Sequence, residues 1–351
     1  MVRKYVAVTV NGIEDVASIE IKEILNSQAK KVVDGRLLFT AETVDELIYS
    51  ARSIDRIYEL VTDFKFKSLD DIKQNVQRLH FEINEPFMVV CKRTGKHLFN
   101  SQDVAKAVGK IVYDQGNSVS LKEPASVIYV DIIDNLCLIG IDLTKKELHK
   151  RSYRVKAHHQ SINPCVAYSL LRLAEWNASK ILLDPFCKDG VIAIEAALYA
   201  TKVPRGYFDR DKPNCAEKFD AQLSKQELNI YAFDSLFANV RSAEVNAKLA
   251  GVNKLIKFSK TDIDWLDVKF DKKFIDNIIT TLPFAEEKVL SKTCKEFFHQ
   301  AEFVLKDNGR IVLVTLKKDV VLKCAHDFKL EKNVKVKIGG MQYSVLVFVK
   351  S

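Results

Sequence analysis

No window of this chain approaches the roughly 18 to 20 consecutive apolar residues that a membrane span needs. Its first residues, Met1-Val2-Arg3-Lys4-Tyr5, run straight into alternating strand-like sequence without a secretory apolar core. The expectation is a cytoplasmic protein with no membrane contact. Its seven cysteines, Cys91, Cys137, Cys165, Cys187, Cys215, Cys294 and Cys324, form no CxxC pair. Most lie inside apolar runs. This reads as reduced, buried thiols and speaks against both a disulfide framework and a zinc site. His149, His158 and His159 likewise lack metal-ligand spacing, so no metal is expected. No internal repeat and no low-complexity tract interrupts the chain.

What is present is the composition of a globular protein, 47% apolar and 28% charged, over 351 residues. That length suffices for about two or three domains. The net charge of +8 is modest, and its sign suits a polyanionic partner.

Periodicity divides the chain. Residues 1–66 read as a compact α+β unit. A strand at Lys4–Val10 is broken by Gly12, and a helix follows over Ile13–Leu25. Strands over Lys31–Thr40 surround the Asp34-Gly35 turn. A helix opens at Thr43, and Arg56–Phe66 is a strand. Residues 67–146 form a second unit. Its helices span Asp70–Leu79 and Ser101–Tyr113, the latter with Ser101 and Asp103 at its start. Its strands span Pro86–Lys92, Ser126–Ile133 and Leu136–Asp142. Residues 147–163, carrying His149, Lys150, Arg151, Tyr153, Arg154, Lys156, His158 and His159, lose periodicity and read as a basic linker.

Residues 164–351 alternate strand with helix. Strands are expected at Ile181–Leu183, Ile230–Phe233, Leu255–Ser259, Phe274–Thr280 and, after an Asn308-Gly309 turn, Arg310–Thr315. The intervening helices include Val191–Ala200, Leu236–Leu249 and Lys292–Leu305. A closing pair, Val334–Ile338 and Tyr343–Val349, turns at Gly339-Gly340. Repeated β–α units imply a doubly wound, Rossmann-like parallel sheet, here with an antiparallel edge.

Ligands of such sheets sit at the carboxyl ends of the strands. The candidate residues therefore lie in Asp184-Pro185-Phe186-Cys187-Lys188-Asp189-Gly190, at Asp234, at Asp262, and in Thr281-Leu282-Pro283-Phe284. A turn opening a helix presents backbone N–H groups to a polar ligand. A carboxylate after the second strand suits ribose hydroxyls, and one after the third suits an adenine amino group. An aspartate after any single strand is more often a turn or cap residue; three at successive strand ends are more telling.

The run Asp184–Gly190 with Glu195 resembles the D-P-F-C-G-S-G-T-x-x-x-E element of class I S-adenosylmethionine-dependent RNA methyltransferases, and Thr281-Leu282-Pro283-Phe284 resembles their N-[LP]-P-[YF] element. Arg93-Thr94-Gly95-Lys96-His97, with Ser101 through Gly109, resembles the THUMP domain, an RNA-binding module. Leu148-His149-Lys150-Arg151-Ser152-Tyr153-Arg154, Gly12-Ile13-Glu14 and Gly339-Gly340-Met341 are similar to segments of THUMP-containing tRNA guanine-N2-methyltransferases. The resemblance thus covers nearly the whole chain. It implies a ferredoxin-like and THUMP region before the methyltransferase fold, S-adenosyl-L-methionine as cofactor and tRNA as partner. It further implies a monomer that forms N2-methylguanosine in the tRNA acceptor stem.

By the same resemblance, Asp184, Phe186, Cys187, Gly190, Asp234 and Asp262 bind the cofactor. Thr281, Pro283 and Phe284 hold and stack the extruded base. Lys92, Arg93, Lys96, His97, Lys150, Arg151, Tyr153 and Arg154 touch RNA. The chain departs from the family where Lys188 and Asp189 replace Gly and Ser, and where Thr281 replaces Asn. Two readings stay open: an active tRNA methyltransferase, and a degenerate relative that binds tRNA but methylates poorly or not at all, as a pseudoenzyme or partner subunit. A small-molecule methyltransferase would leave the first half without a task.

Overall fold

A computed structural model describes residues 2–144 and 146–350. In chain order the first elements are β1 (Arg3–Thr9), α1 (Glu14–Leu25), β2 (Lys30–Val33), β3 (Arg36–Ala41), α2 (Asp45–Ser50) and β4 (Ile54–Lys65). They are followed by α3 (Leu69–Gln77), β5 (Phe87–Thr94), α4 (Ser101–Asp114), β6 (Ser126–Ile133) and β7 (Leu136–Asp142). Capping chemistry sets two of the starts. Ser68 and Asp71 form a reciprocal box at α3, and Asn100 and Asp103 form one at α4, each satisfying backbone donors the helix leaves unpaired. The second expected helix opens at Asp45, two residues after Thr43.

The contacts group the chain into two units, and the division does not follow sequence order. Residues 1–8, 27–44 and 55–147 form one; residues 9–26, 45–54 and 148–351 form the other. The first unit is built on a seven-stranded sheet in the order β2-β3-β1-β4-β7-β6-β5. Only β5 and β6 pair in parallel among the registered neighbours, with Phe87 opposite Ser126 and Thr94 opposite Ile133. The apolar faces of α3 (Ile72, Val76) and α4 (Val104, Val108, Val112) cover Phe87, Ile128, Val130 and Ile139.

The second unit continues with α5 (Pro164–Leu173), β8 (Leu182–Asp184), α6 (Val191–Ala200), α7 (Ala216–Asp220), β9 (Ile230–Asp234), α8 (Phe237–Leu249) and β10 (Ile256–Lys260). Then come α9 (Leu266–Lys269), β11 (Ile275–Thr281), α10 (Glu287–Val304), β12 (Leu305–Thr315), α11 (Lys318–Leu322), β13 (Phe328–Ile338) and β14 (Met341–Lys350). The sheet order is β10-β9-β8-β11-β12-β14-β13. Strands β8 to β12 pair in parallel, while β14 runs antiparallel to both β12 and β13. This is the doubly wound sheet with an antiparallel edge that the β–α alternation predicts.

One expected turn is absent. Asn308 and Gly309 lie within β12, where the register with β11 jumps from Ile275↔Leu305 to Asn277↔Arg310, an irregularity that absorbs the extra residues. A side chain at Gly309 would lie 2.6 Å from Leu305 and 2.9 Å from the Asp276 carbonyl, so glycine is needed for close packing and not for a reversal. Helix α10 also begins at Glu287, five residues before its expected start.

Two sheet faces each bury an apolar layer. One holds α5, α6 and α8 with Ile230, Ile279, Val312 and Val345; the other holds α10 with Leu183, Ile278, Ile311 and Phe348. Ile13 and Val16 of the α1 segment belong to the first layer. Gly12 brings them there with φ +103°, and a Cβ on it would stand 1.9 Å from the Lys335 carbonyl oxygen. Gly12→Ala is therefore expected to cost at least about 2 kcal/mol, measured as a lower urea midpoint, because both the backbone and the contact oppose it. Among the described residues, no helix is long and apolar enough to cross a membrane.

Candidate active site

Strand β8 ends in Asp184, and the chain turns at once into α6. The turn is held from three sides. The Cys187 N–H donates to the Phe233 carbonyl at 2.8 Å, and the Lys188 N–H donates to Asp234 Oδ2 at 3.0 Å. The Gly190 N–H closes it on the Cys187 carbonyl at 2.7 Å. Gly190 has φ +80°, and a Cβ there would approach that of Ala243 to 2.8 Å, so glycine lets α6 and α8 pack closely. Lys188 also lies in the left-handed region, at φ +52°, which costs a side-chain-bearing residue roughly 1–2 kcal/mol.

A cavity of about 690 Å³ opens at the carboxyl ends of β8, β9, β10 and β11. Phe186, Lys188, Asp234, Asp262 and Pro283 line it, joined by Asn239 and by His158, His159 and Gln160 from the 147–162 stretch. Asp234 is held by three hydrogen bonds. Its Oδ1 accepts from the Leu236 N–H and from Asn239 Nδ2, both at 3.0 Å, while Oδ2 takes the Lys188 N–H. Asp262, which follows β10, is exposed and also lines the cavity.

Other expected contacts act from behind the wall. Asp184 is buried and does not line the cavity; its Oδ1 accepts from Thr280 Oγ1 at 2.6 Å and from the Phe186 N–H at 3.3 Å, tying β8 to β11. Burial pushes its carboxyl above the usual carboxylate range. Cys187 is buried as well, and burial drives its thiol well up, which makes it an inert packing residue.

The Thr281–Phe284 segment follows β11. Thr281 is buried, and it is its backbone carbonyl that faces the turn, accepting from Lys188 Nζ at 2.6 Å. The Phe284 ring lies 5.7 Å from that of Tyr343 and 5.9 Å from Lys188 Nζ. Gln160 pins this segment through both backbone groups of Phe284: its Oε1 accepts the N–H at 3.1 Å, and its Nε2 reaches the carbonyl at 3.5 Å. A smaller cavity of about 150 Å³ has Pro283, Phe284, Glu286 and Thr315 in its walls.

The 147–162 stretch has no regular secondary structure, yet it is not a solvated linker. Leu148, Tyr153 and Ile162 are buried. Arg151 and Tyr153, expected on RNA, instead surround Glu195: Arg151 Nε donates to Oε1 at 2.9 Å, and so does the Tyr153 hydroxyl. Arg52 completes the cluster from the other oxygen at 3.0 Å. The reason is charge: Glu195 sits wholly inside the α6 core and needs cationic partners there. Arg154 is only half-buried and binds Asp189 Oδ2 at 2.9 Å. Asp189 also accepts from the His158 N–H at 3.2 Å and from Ser161 Oγ. The residue that departs from the family serine thus anchors the stretch that carries His158, His159 and Gln160 into the cavity wall. Gln160 and Asn246, which bridges Asp189 and Lys156, had no signal in sequence because each works through backbone groups far along the chain.

In the first unit, Lys92 and Lys96 are exposed near the end of β5. Arg93 and His97 shape the loop between them: Arg93 Nη1 meets His97 Nδ1 at 2.8 Å and donates to the Gly95 carbonyl at 3.1 Å, and His97 Nε2 lies 2.6 Å from the Asp134 carbonyl. Lys150, in the second unit, is exposed.

A doubly wound sheet with this strand order, and a cavity rimmed by acids at successive strand ends, defines a class I methyltransferase fold. The chain belongs to the RMKL-like methyltransferase domain family (UPF0020), whose model matches residues 151–344, and a THUMP domain matches residues 66–142. It is 28% identical to a tRNA (guanine(6)-N2)-methyltransferase of Archaeoglobus fulgidus, over 99% of this chain and 93% of that protein. Its identity to a tRNA (guanine(6)-N2)-methyltransferase of Methanocaldococcus jannaschii is also 28%, over 95% of this chain and 96% of that one. Among solved structures, TrmN from Thermus thermophilus shares the fold with a TM-score of 0.79 at 24% identity, each chain covered completely. A putative methyltransferase complexed with SAH gives 0.83 at 22% identity, covering 100% of this chain and 98% of the other.

The donors present fit S-adenosyl-L-methionine, the family's cofactor. Asp234 offers a buried carboxylate in the cavity lining that already accepts three N–H groups, which leaves room for about one ribose hydroxyl, and Phe186 and Ile263 offer apolar flanks for the adenine. When bound, the cofactor supplies an activated methyl group.

Proposed function

We propose that this protein methylates the exocyclic N2 of a guanine in tRNA, using S-adenosyl-L-methionine. The observation that carries the reading is the juxtaposition of the Asp234-lined cavity with the Phe284 ring and the Thr281–Phe284 backbone, in a chain that also holds a THUMP domain. Relatives named for guanine(6)-N2 methylation align along almost the entire chain. They support a target in the acceptor stem.

The chain's own residues divide the work. Asp234 and Asp262 hold the cofactor, and Phe186 flanks it. Phe284 stacks the extruded base, with Pro283 and Gln160 fixing the segment's course. Exposed Lys92 and Lys96, on the loop that Arg93 and His97 shape, contact RNA phosphates, as does Lys150; such contacts position the RNA without reading its sequence. Catalysis rests mainly on positioning and exclusion of water, because the methyl is already activated.

The test is methyl transfer from labelled S-adenosylmethionine to unmodified tRNA, followed by nucleoside analysis. N2-methylguanosine is the expected product, at one acceptor-stem guanine. Phe284→Ala should slow single-turnover transfer about 5- to 150-fold, the worth of one base–aromatic stack, and Phe284→Tyr should restore most of it. A folded protein that fails to bind the cofactor at millimolar concentration overturns the reading in favour of a non-catalytic tRNA-binding relative.

A further inference from the structure

Lys188 belongs to the cofactor turn and also touches the segment proposed to hold the base. Its backbone lies in the left-handed region usually left to glycine, and its side chain is buried. Among the described residues its Nζ has one hydrogen-bond acceptor, the neutral carbonyl of Thr281 at 2.6 Å, and no carboxylate oxygen within ion-pair distance. The neighbouring acids are engaged elsewhere. Asp184 on β8 takes Thr280 Oγ1, Asp234 after β9 takes three N–H groups, and Asp189 takes Arg154, His158 and Ser161. A buried ammonium with a single neutral acceptor is poorly solvated, and a neutral amine keeps that bond through one N–H while retaining a lone pair.

Resting on the function proposed above, we infer that Lys188 is the proton acceptor of the methyl transfer. As the exocyclic nitrogen bonds to the methyl carbon, the S–CH3 bonding pair stays with sulfur, and the nitrogen's surplus proton passes to the lone pair of Lys188 Nζ. The site holds one positive charge before the step, on sulfur, and one after it, on Lys188. The cation that keeps the amine neutral therefore disappears as the amine gains its proton, so sulfur and Lys188 Nζ are not cationic together. Thr281, whose hydroxyl is a weaker partner for the base than the family's asparagine amide, is thereby supplemented by an amine donating to its own carbonyl.

The protonation logic is supported locally. Burial holds the Lys188 amine below the ordinary lysine value, while Asp184, Asp234, Asp189 and Cys187 oppose that shift. His158 faces it from the 147–162 stretch and is itself held low by burial, by His159 and by Lys188. Lys292 and Glu296 of α10 and the acids Asp262 and Asp264 line other parts of the cavity.

The first test needs no RNA. The full chain is titrated calorimetrically near neutral pH with S-adenosylmethionine, and separately with S-adenosylhomocysteine, in two buffers of different ionisation enthalpy. The cationic ligand should release up to about one proton more than the neutral one, because Lys188 must deprotonate only for the sulfonium. Their common amino and carboxyl groups cancel in the difference. In Lys188→Met the difference should vanish. Lys188→Gly, which relieves the left-handed strain, should behave as Lys188→Met does and guards against a folding artefact. Equal proton release by the two ligands in the wild type, or a difference that persists in both variants, overturns the inference alone. Absence of cofactor binding to the wild type overturns the functional reading with it. In single turnover on tRNA, wild-type transfer should rise about tenfold per pH unit until the lysine is deprotonated. Both variants should be about 100- to 10,000-fold slower, the usual worth of a positioned base, and flat with pH. A parallel pH dependence in variants and wild type would likewise overturn the assignment.

Discussion

Glu195→Ala should destabilise the second unit by about 3–5 kcal/mol, read as a large drop in the urea midpoint at neutral pH. The carboxylate is fully buried and accepts from Arg52, Arg151 and the Tyr153 hydroxyl at 2.9–3.0 Å. Removing it strands two guanidinium groups that are 5% and 9% exposed. Their remaining partners are backbone carbonyls, of Leu198 and Val203 for Arg52 and of Leu148 and Arg52 for Arg151, which satisfy donors but do not neutralise charge. Burial alone would push the Glu195 carboxyl up; Arg151 and Arg52 more than offset it, and the group lies below its ordinary value. A carboxyl depressed in the folded state contributes stability that is full above its unfolded value and is lost as pH falls through the folded one. Wild-type stability should therefore decline below about pH 4 more steeply than that of Glu195→Gln, which carries no such group. Equal midpoints for Glu195→Ala and wild type would remove the cluster as a cornerstone of the unit.

Asp234→Ala should weaken S-adenosylmethionine binding by about one to two orders of magnitude, since one hydrogen bond to a carboxylate is worth about 1.5–3 kcal/mol. The variant also frees the Lys188, Leu236 and Asn239 donors. Part of the loss is thus a looser turn after β8, which the unfolding midpoint reports separately. Asp262, which is exposed, should cost much less when replaced by alanine, about tenfold or under, because water competes for the same bond. If the two variants bind equally well, Asp234 is a cap for α8 and not the ribose ligand.

Much of this was legible in the residues. Strands β6 and β7 fall where alternation places them. Helix α6 spans Val191–Ala200, the expected bounds. The carboxyl ends of β8, β9 and β11 and the turn after β10 carry the residues singled out for the site, and Phe186, Asp234, Asp262 and Pro283 line one cavity. These features are local: apolar period, caps and turns report the conformation of a few residues at a time, and the doubly wound arrangement then orders the strand ends.

Charge partners were not legible, because they depend on which distant segments meet. Arg151 and Tyr153 stand in a basic run and look like RNA ligands until α6 brings Glu195 among them. Arg52 reaches the same carboxylate from 143 residues away. Residues 9–26 and 45–54 carry no mark in their own sequence of belonging to a different unit from the strands on either side of them. Their apolar faces specify burial but not against what, and Ile13 and Val16 find their partners only when Gly12 presses against Lys335.

Lys188 shows the division most sharply. Its sequence position alone marked it as a departure from the glycine of its family and a reason to question turnover. The tertiary structure decided what the departure does: the side chain spans from the cofactor turn to the Thr281 carbonyl, a partner that only the pairing of β8 with β11 brings within reach. The chain's own order of residues determined that this is a methyltransferase fold with a THUMP domain. Packing between segments far apart in the chain determined which of its charges are buried, which remain exposed, and which one stands beside the proposed chemistry.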